Sequence, residues 1–415
     1  MDENSMNSGA ITVAWHTHPA ELPAAAWELP GAHAACLSLP LLAALQDGAL
    51  DFVQSCHYAT AHAADAEEQD TGSSVVGLLV AFLLEATDEQ VLGREPLRIF
   101  VLSDAMGMCR PPLITAGRCA AARERITLAL IESAIARARG EHAEGVHVYW
   151  IGEGATELRA LLERRGFLSM PEDLCAHVPL LAGELGTYPA ALRGNYRSVI
   201  KRKRHQLTKL GLTLGSPAAR PEPATLDLLY QKVAARKEEE RWEIVESRFS
   251  RRFFERVSAH PAFRLITCVR PDGELFGYLL GMQSGDTFVS LAVGLDYERL
   301  VATGETGLAA AIFQVLHAET LARAQAEGAR WAVLGISALA GKARVGALCE
   351  RNFGLGLGLT ERAWGVLRRA QEYRVAGDVL PACRPYAEEA LGPISAESAR
   401  RGIHLAETLE ESATW

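Results

Sequence analysis

Two ten-residue segments of the chain share one pattern and lie within the same order of predicted elements. Residues 143–152 read AEGVHVYWIG, and residues 326–335 read AEGARWAVLG. Each follows an Ala-rich segment whose apolar residues recur at helical spacing, and each is typical of a short strand that ends in glycine. Strand candidates precede both helices, and a shorter helix follows both segments. Because coincidence seldom copies the flanking elements as well, the sequence predicts an α/β unit that occurs twice.

Apolar periodicity and turn sequences predict the elements around this repeat. The strand candidates are 51–58, 75–84 and 97–102 in the first half and 263–269, 275–282 and 287–295 in the second. The sequences RPDGE and QSGD separate the three later strands and predict an antiparallel meander. A glycine-bearing loop at 303–307 then leads into a helix predicted from about 307 to 326.

The composition is that of an ordinary globular protein. Of the 415 residues, 49% are apolar and 22% are charged, and the net charge is −9. This length predicts two or more hydrophobic cores, and the acidity argues against a surface that binds nucleic acid throughout. The polar segment MDENSMNSGA predicts no signal peptide, and no apolar run reaches the roughly 20 residues that span a bilayer. We therefore expect a cytoplasmic protein without a membrane span.

Metal and hydrolase motifs are absent from the sequence. The eight cysteines have no C-x-x-C spacing, and the histidines have no acid or cysteine at ligand spacing, so no metal site is predicted. There is no G-x-S-x-G sequence. The run GLGLG at 354–358 has leucine at alternate positions, which favours a glycine-rich strand over a nucleotide-binding loop.

A basic segment lies between the two halves. Residues 193–209 (RGNYRSVIKRKRHQLTK) contain seven Lys or Arg and no acid. On a helix, Arg197, Lys201 and Arg204 would form one stripe, as would Arg193, Arg197 and Lys201. Such a stripe could bind the phosphates of coenzyme A, of a nucleotide-linked acceptor or of tRNA. The alternative is a solvated helix face with salt bridges to the acidic remainder of the chain.

A meander that leads through a glycine loop into a helix, then a strand, a helix and a last strand, resembles the GNAT acyltransferase fold. In that family the loop pattern is Gln/Arg-x-x-Gly-x-Gly/Ala, and here Gly304-x-x-Gly307-Leu308-Ala309 is similar, with glycine where the family usually has Gln or Arg. A helix N-terminus without bulky side chains presents free N–H groups and a positive dipole end to a pyrophosphate. The corresponding place in the first half, 117–121, lacks the pattern, whereas ATELRALLERRGF at 155–167 resembles the last GNAT helix.

The two halves together resemble the tandem group that includes the Fem peptidoglycan ligases and the CelD-like predicted acyltransferases. Tyr188, Leu192 and the run from Arg197 to Gly211 are similar to the segment that closes the first half in many of those proteins. LGISALAGKARVGA at 334–347, which contains Lys342, is similar to a later segment, and Lys342 is a candidate phosphate or carboxylate ligand. An alternative for Lys342 is an ordinary lysine on a helix surface.

The resemblance implies an α/β fold with a mixed sheet and two tandem GNAT-like domains. The expected divisions are an N-terminal helical segment (1–50), a first domain with a degenerate donor site (51–192), the basic segment and a Pro-rich linker (193–225), a second domain with the donor site (226–375) and a C-terminal helical tail (376–415).

The implied reaction is direct N-acyl transfer from acyl-CoA, a co-substrate and not a tightly bound cofactor, to a small-molecule amine. Asp296, Glu298 and Glu305, near the end of the third strand of the meander, are candidates for the general base. Tyr297 is a candidate for protonating the leaving group. The alternative is that the acids lie in solvent and that the tyrosine packs under the loop.

Two other functions remain open from the sequence. One is aminoacyl transfer from a charged tRNA, as in the Fem ligases, although those often carry a longer helical insertion than 226–257. The other is a GNAT-like binding module without catalysis, since Gly304 departs from the family's loop pattern.

Overall fold

The computed structural model describes most of the chain between Ile11 and Ala376. The described residues are 11–29, 39–46, 49–50, 53–64, 74–86, 95–103, 113–116, 119–180, 188, 192, 194–217, 220–238, 249–258, 260–335 and 339–376. The tail predicted beyond residue 376 lies outside them, as do Gly117, Arg118 and Arg193 of the predicted basic stripe. We call residues 11–179 the first half and residues 194–376 the second half.

The strands of both halves form one continuous mixed sheet. They are β1 (Ile11–His16), β2 (Val53–Ala63), β3 (Val75–Ala86), β4 (Leu97–Leu102), β5 (Leu113–Thr115), β6 (Gly145–Gly152), β7 (Leu168–Pro179), β8 (Thr213–Gly215), β9 (Phe263–Val269), β10 (Leu275–Ser284), β11 (Thr287–Leu295), β12 (Trp331–Gly335) and β13 (Leu348–Gly358). Their spatial order is β1-β2-β3-β4-β6-β13-β7-β12-β11-β10-β9-β8, and β5 pairs with β3. The pairs β4/β6 and β11/β12 are parallel, and the other neighbours are antiparallel.

Helices cover both faces of this sheet. They are α1 (Ala24–Trp27), α2 (Leu39–Leu45), α3 (Ala120–Gly140), α4 (Thr156–Arg164), α5 (Gly194–Lys209), α6 (Pro223–Glu238), α7 (Arg251–Ser258), α8 (Tyr297–Ala302), α9 (Leu308–Ala326), α10 (Leu339–Ala343) and α11 (Glu361–Ala376). Along β3, Leu79 and Leu83 pack with α3, whereas the alternate residues Leu78 and Val80 join a cluster on the other face. That second cluster also contains Tyr278 and so continues into the second half.

Each half supplies a strand to the other. Strand β13, from the end of the second half, lies between β6 and β7 of the first half. Strand β7, from the end of the first half, pairs in turn with β12 of the second half. The two halves therefore share a backbone hydrogen-bond ladder as well as a hydrophobic core.

Most of the predicted elements are confirmed, but the N-terminal segment 1–50 is not all helical, because Ile11–His16 form β1 and pair with β2. Strands β9 and β11 have the predicted bounds, the basic segment forms α5, and the run GLGLG lies in β13. The Pro-rich linker is shorter than 215–225, because β8 includes Gly215 and α6 begins at Pro223. Within the described part of the chain, no helix is both long and apolar enough to cross a bilayer.

The duplicated order of elements is confirmed, but the sequence match is three residues out of register. Helix α3 is followed by His142 at φ 57°, and α9 is followed by Gly328 at φ 97°, so these two residues are structural counterparts. In both places the next alanine donates its N–H back into the helix, from Ala143 to Ala138 O (2.9 Å) and from Ala329 to Ala324 O (2.8 Å). The sequence match had paired Gly328 with Gly145, which is instead the first residue of β6.

Candidate functional site

The parallel strands β11 and β12 separate toward their carboxyl ends. They pair only at Thr287↔Trp331, Phe288↔Ala332 and Val289↔Val333. Beyond that point β11 continues to Leu295 along β10, while β12 follows β7 on its other side. The sheet is therefore open between the two strands from residue 290 onward.

A glycine loop and the N-terminus of α9 stand at this opening. Since α9 connects the carboxyl end of β11 to the amino end of the parallel strand β12, its N-terminus lies at the edge of the sheet where the strands diverge. Gly304 and Gly307 both have φ 73°, and a Cβ atom at either position would meet no atom within 4 Å. Both therefore need glycine for backbone reasons, and both border open space.

The first turn of α9 offers backbone donors to this space. Gly307 is the N-cap and has no side chain to cap the helix, and the Ala311 N–H donates to the Gly307 carbonyl at 3.0 Å. The N–H groups of the three residues before Ala311 have no carbonyl within the helix. Leu308 is buried and Ala309 is half-buried, so no bulky side chain stands over these groups. An anion fits such a place.

The predicted acids occupy three different environments. Asp296 is buried, accepts hydrogen bonds from Lys232 Nζ (3.0 Å) and the Arg299 backbone N–H (3.3 Å), and forms a salt bridge with Arg299 Nε (3.3 Å). Glu298 is 83% exposed at its side chain and accepts from the same Lys232 (2.9 Å). Glu305 is exposed and lies in the glycine loop, where its N–H donates to Thr303 Oγ1 (3.3 Å).

Lys232 joins two of these acids and ties α6 to α8. The hydrogen bonds that Lys232 donates to Glu298 and then to Asp296 raise the pKa of Lys232 above its usual value. Asp296 also caps α8, so its contacts already have a structural role. Tyr297 is half-buried and packs against the hydrophobic core of the second half. This packing resembles the alternative stated from the sequence, in which the tyrosine packs under the loop. The predicted roles of the three acids as general base, and of Tyr297 as the acid, stay predictions.

The basic helix α5 packs against α9. Ile200 and Leu207 are buried, and Lys203, on the same face, donates to Gln314 Oε1 (2.6 Å) and to the carbonyl of Ala310 (3.5 Å). Burial, followed by the nearby charges of Arg344 and Arg202, lowers the pKa of Lys203. Lys203 is thus the basic residue that reaches the first turns of α9, although it lies outside the predicted stripe. Its place three residues after Ile200 and four before Leu207 is the signal that could have found it.

The residues of the predicted stripe Arg197, Lys201 and Arg204 do not share one environment. Arg204 pairs with Glu319 of α9 at 2.6 Å, whereas Arg197 and Lys201 are exposed. Lys342, on α10, is buried with 3% of its surface exposed, which excludes the ordinary surface lysine considered from the sequence. The structure therefore brings Lys203 and Arg204 to α9 and leaves Arg197 and Lys201 outward.

The first half lacks the corresponding opening within its described residues. Strand β4 pairs with β6 at Ile99↔Gly145, Phe100↔Val146, Val101↔His147 and Leu102↔Val148, and β4 ends at Leu102. The parallel pair is therefore closed to the last residue of β4.

The strand order, the diverging parallel pair and the glycine-capped helix define an α/β fold of the acyltransferase type. Residues 194–342 match the family model described as the acetyltransferase (GNAT) domain. The matched segment includes the diverging strands, the glycine loop and α9. This part of the chain therefore matches a GNAT domain, and the resemblance of the chain to the GNAT superfamily is confirmed.

Solved structures show remote likenesses to the chain. The structure of FemX is 12% identical, covers 72% of this chain and 89% of its own, and has a TM-score of 0.49. A tandem GNAT protein from the clavulanic acid biosynthesis pathway is 14% identical, with coverages of 84% and 98% and a TM-score of 0.45. L-PGS from Bacillus licheniformis is 11% identical, with coverages of 71% and 86% and a TM-score of 0.44. No curated protein matches the sequence of the chain.

Proposed function

We propose that the second half binds an acyl-CoA at the opening between β11 and β12 and transfers its acyl group to an amine. The observation that carries this proposal is that the strand divergence and the N-terminus of α9, which no side chain caps, lie at the same edge of the sheet. The pyrophosphate of the donor would accept hydrogen bonds from the first-turn N–H groups of α9. Lys203, and the outward Arg197 and Lys201 of α5, would supply positive charge beside it.

The open edges of β11 and β12 suit the thioester. Backbone N–H groups that a neighbouring strand leaves unpaired can donate to the thioester oxygen as it gains charge. The amine loses a proton to a base and attacks the thioester carbon, and the C–S bond then breaks. Among the predicted bases we favour Glu305, because Asp296 is held by Lys232 and Arg299. The departing thiolate takes a proton, for which Tyr297 remains the candidate.

One observation favours a second candidate function, which is aminoacyl transfer from a charged tRNA. Arg197, Lys201 and Arg202 are exposed along α5, so this helix presents positive charge to solvent in an acidic chain. A polyanion much larger than coenzyme A could follow that face.

Thermal unfolding of the full chain with acetyl-CoA and longer acyl-CoAs tests the donor site. We expect a stabilisation of about 2.7 kcal/mol at a ligand concentration about 100 times Kd. Gly307→Trp should abolish it, because the indole would stand over the first turn of α9. Gly285→Trp is the matched control, since Gly285 also has a positive φ and open space but lies in the β10–β11 turn at the opposite edge of the sheet.

The outcomes separate the three functions. No shift with any acyl-CoA, together with salt-sensitive retention of tRNA, would replace the first proposal with the second. The absence of both stabilisation by an acyl-CoA and retention of tRNA would reject both transfer reactions in favour of a binding module without catalysis. Equal loss of the acyl-CoA shift in both tryptophan variants would mean that the glycine loop is not the phosphate site.

A further inference from the structure

A buried histidine and a buried glutamate meet across a glycine in the first half. His147 lies on β6 and Glu172 on β7, and these strands flank β13. His147 Nε2 and Glu172 Oε1 are 2.8 Å apart, with side-chain exposures of 9% and 3%. A methyl group at Gly354 of β13 would overlap Glu172 Oε1 and lie 2.7 Å from His147 Nε2. The pair therefore exists because residue 354, supplied by the second half, has no side chain.

The second carboxylate oxygen of Glu172 is left over. Glu172 Oε2 is buried and has no hydrogen-bond partner among the described residues. A buried carboxylate oxygen without a donor destabilises the folded protein, because it has lost its hydrogen bonds to water. Native structures seldom leave such a group unpaired, so a donor other than the described residues is expected beside it.

A cavity adjoins this pair between the sheet and α11. With its open mouth included, it is a narrow slot of about 500 Å³. Its walls are mostly aliphatic and include Leu97, Ile99, Val101, Val366 and Leu367. The ionisable groups on its lining are His147, Glu172 and Tyr149.

We propose that this slot binds a straight-chain aliphatic amine, with the ammonium group donating to Glu172 Oε2 and the alkyl chain lying along α11. A His147 that donates its Nε2–H to Oε1 leaves the pair with one negative charge. In a poorly solvated place that charge favours a cation over a neutral donor. The narrow aliphatic walls favour an unbranched chain, since each buried methylene adds affinity. This site is separate from the donor site of the second half and does not depend on the proposed transfer reaction.

Calorimetric titration of the full chain with unbranched primary amines from propylamine to octylamine tests the site. We expect affinity to rise about fourfold per added methylene until the slot is full. Glu172→Gln should weaken binding by about 10- to 100-fold, because the charge-assisted hydrogen bond is lost. Glu163→Gln, on the exposed side of α4, should leave it unchanged.

A second variant tests the slot without touching the pair. Ala363 is buried on the cavity wall, and Ala363→Leu should fill the slot and exclude the longer amines. Circular dichroism melting establishes that each variant folds. Acyl-CoA stabilisation, measured on the same samples, should persist in Glu172→Gln, so failure here is distinguishable from failure of the donor site.

Three results would overturn the proposal. The first is an absence of amine binding at millimolar concentration, which would mean that a water molecule alone satisfies Oε2. The second is unchanged affinity in both Glu172→Gln and Ala363→Leu. The third is equal affinity for alcohols of the same chain length, which would show that the carboxylate does not select a cation.

Discussion

The parallel strand pair of the second half diverges, whereas that of the first half stays paired. In the second half β11 and β12 part after three residue pairs, and a glycine-capped helix stands at the gap. In the first half β4 and β6 stay paired to the end of β4, and a covered slot with an ionisable pair lies on one face instead. The duplicated order of elements therefore leaves two different openings, a gap between diverging strands in the second half and a cavity on the face of the sheet in the first.

The largest effect should come from breaking the pair that distinguishes the first half. Gly354→Ala forces His147 and Glu172 apart, and a buried carboxylate that loses its partner costs about 3–5 kcal/mol. Gly140→Ala is the control, because a Cβ atom there meets no atom within 4 Å. This variant should be about 0.5–1 kcal/mol more stable than the unchanged protein, since alanine is favoured over glycine in a helix. Urea unfolding measures both, and equal stability of the two variants would remove the pair as a feature of the first half.

Acid should act on the first half through His57. Burial, followed by the charge of Arg137, lowers the pKa of His57 to about 4, whereas the unfolded value is about 6.5. The unfolded chain thus takes up the proton first, so stability is full above about pH 6.5 and falls as the pH drops toward 4. At about 1.4 kcal/mol per pH unit the loss approaches roughly 3 kcal/mol.

Unfolding free energies between pH 7 and 4 measure this loss. His57→Gln should flatten that part of the curve, while the control His260→Gln, in the second half, should leave the slope in place. A slope that persists in His57→Gln would assign the acid sensitivity elsewhere.

The smallest effects test the corrected register of the repeat. His142 is exposed and has φ 57°, so His142→Gly should stabilise the protein by about 1 kcal/mol. Gly328→Ala places a Cβ at φ 97° and should cost about 1–2 kcal/mol. Thermal melts should therefore move in opposite directions. If they do not, the two residues are not equivalent ends of equivalent helices.

The sequence predicted what depends on neighbours along the chain. The strands β9 to β11 followed from alternation and from the turns RPDGE and QSGD, and α9 followed from apolar spacing after a glycine loop. The sequence predicted that each long helix leads into a strand, but it aligned the two junctions three residues out of register. The residue with positive φ is His142 in one copy and Gly328 in the other, so matching glycines could not align them.

Contacts between distant residues were beyond such patterns. Nothing local places β13 between β6 and β7, and no spacing rule joins His147, Glu172 and Gly354. The Lys232 bridge to Asp296 likewise depends on how α6 packs against β11 and α8. Helix α5 is an intermediate case, since its basic character was evident but the residue that meets α9 is Lys203.

The exchange of strands also bears on how the protein is made. A nascent chain that has emerged only as far as β7 has no partner for the inner edge of β6, because that partner is β13. Unpaired strand edges of this kind are prone to aggregate. The ribosome must add nearly 180 further residues before β13 is available to complete the sheet of the first half. During synthesis, the first half therefore depends on a strand that is made near the end of the chain.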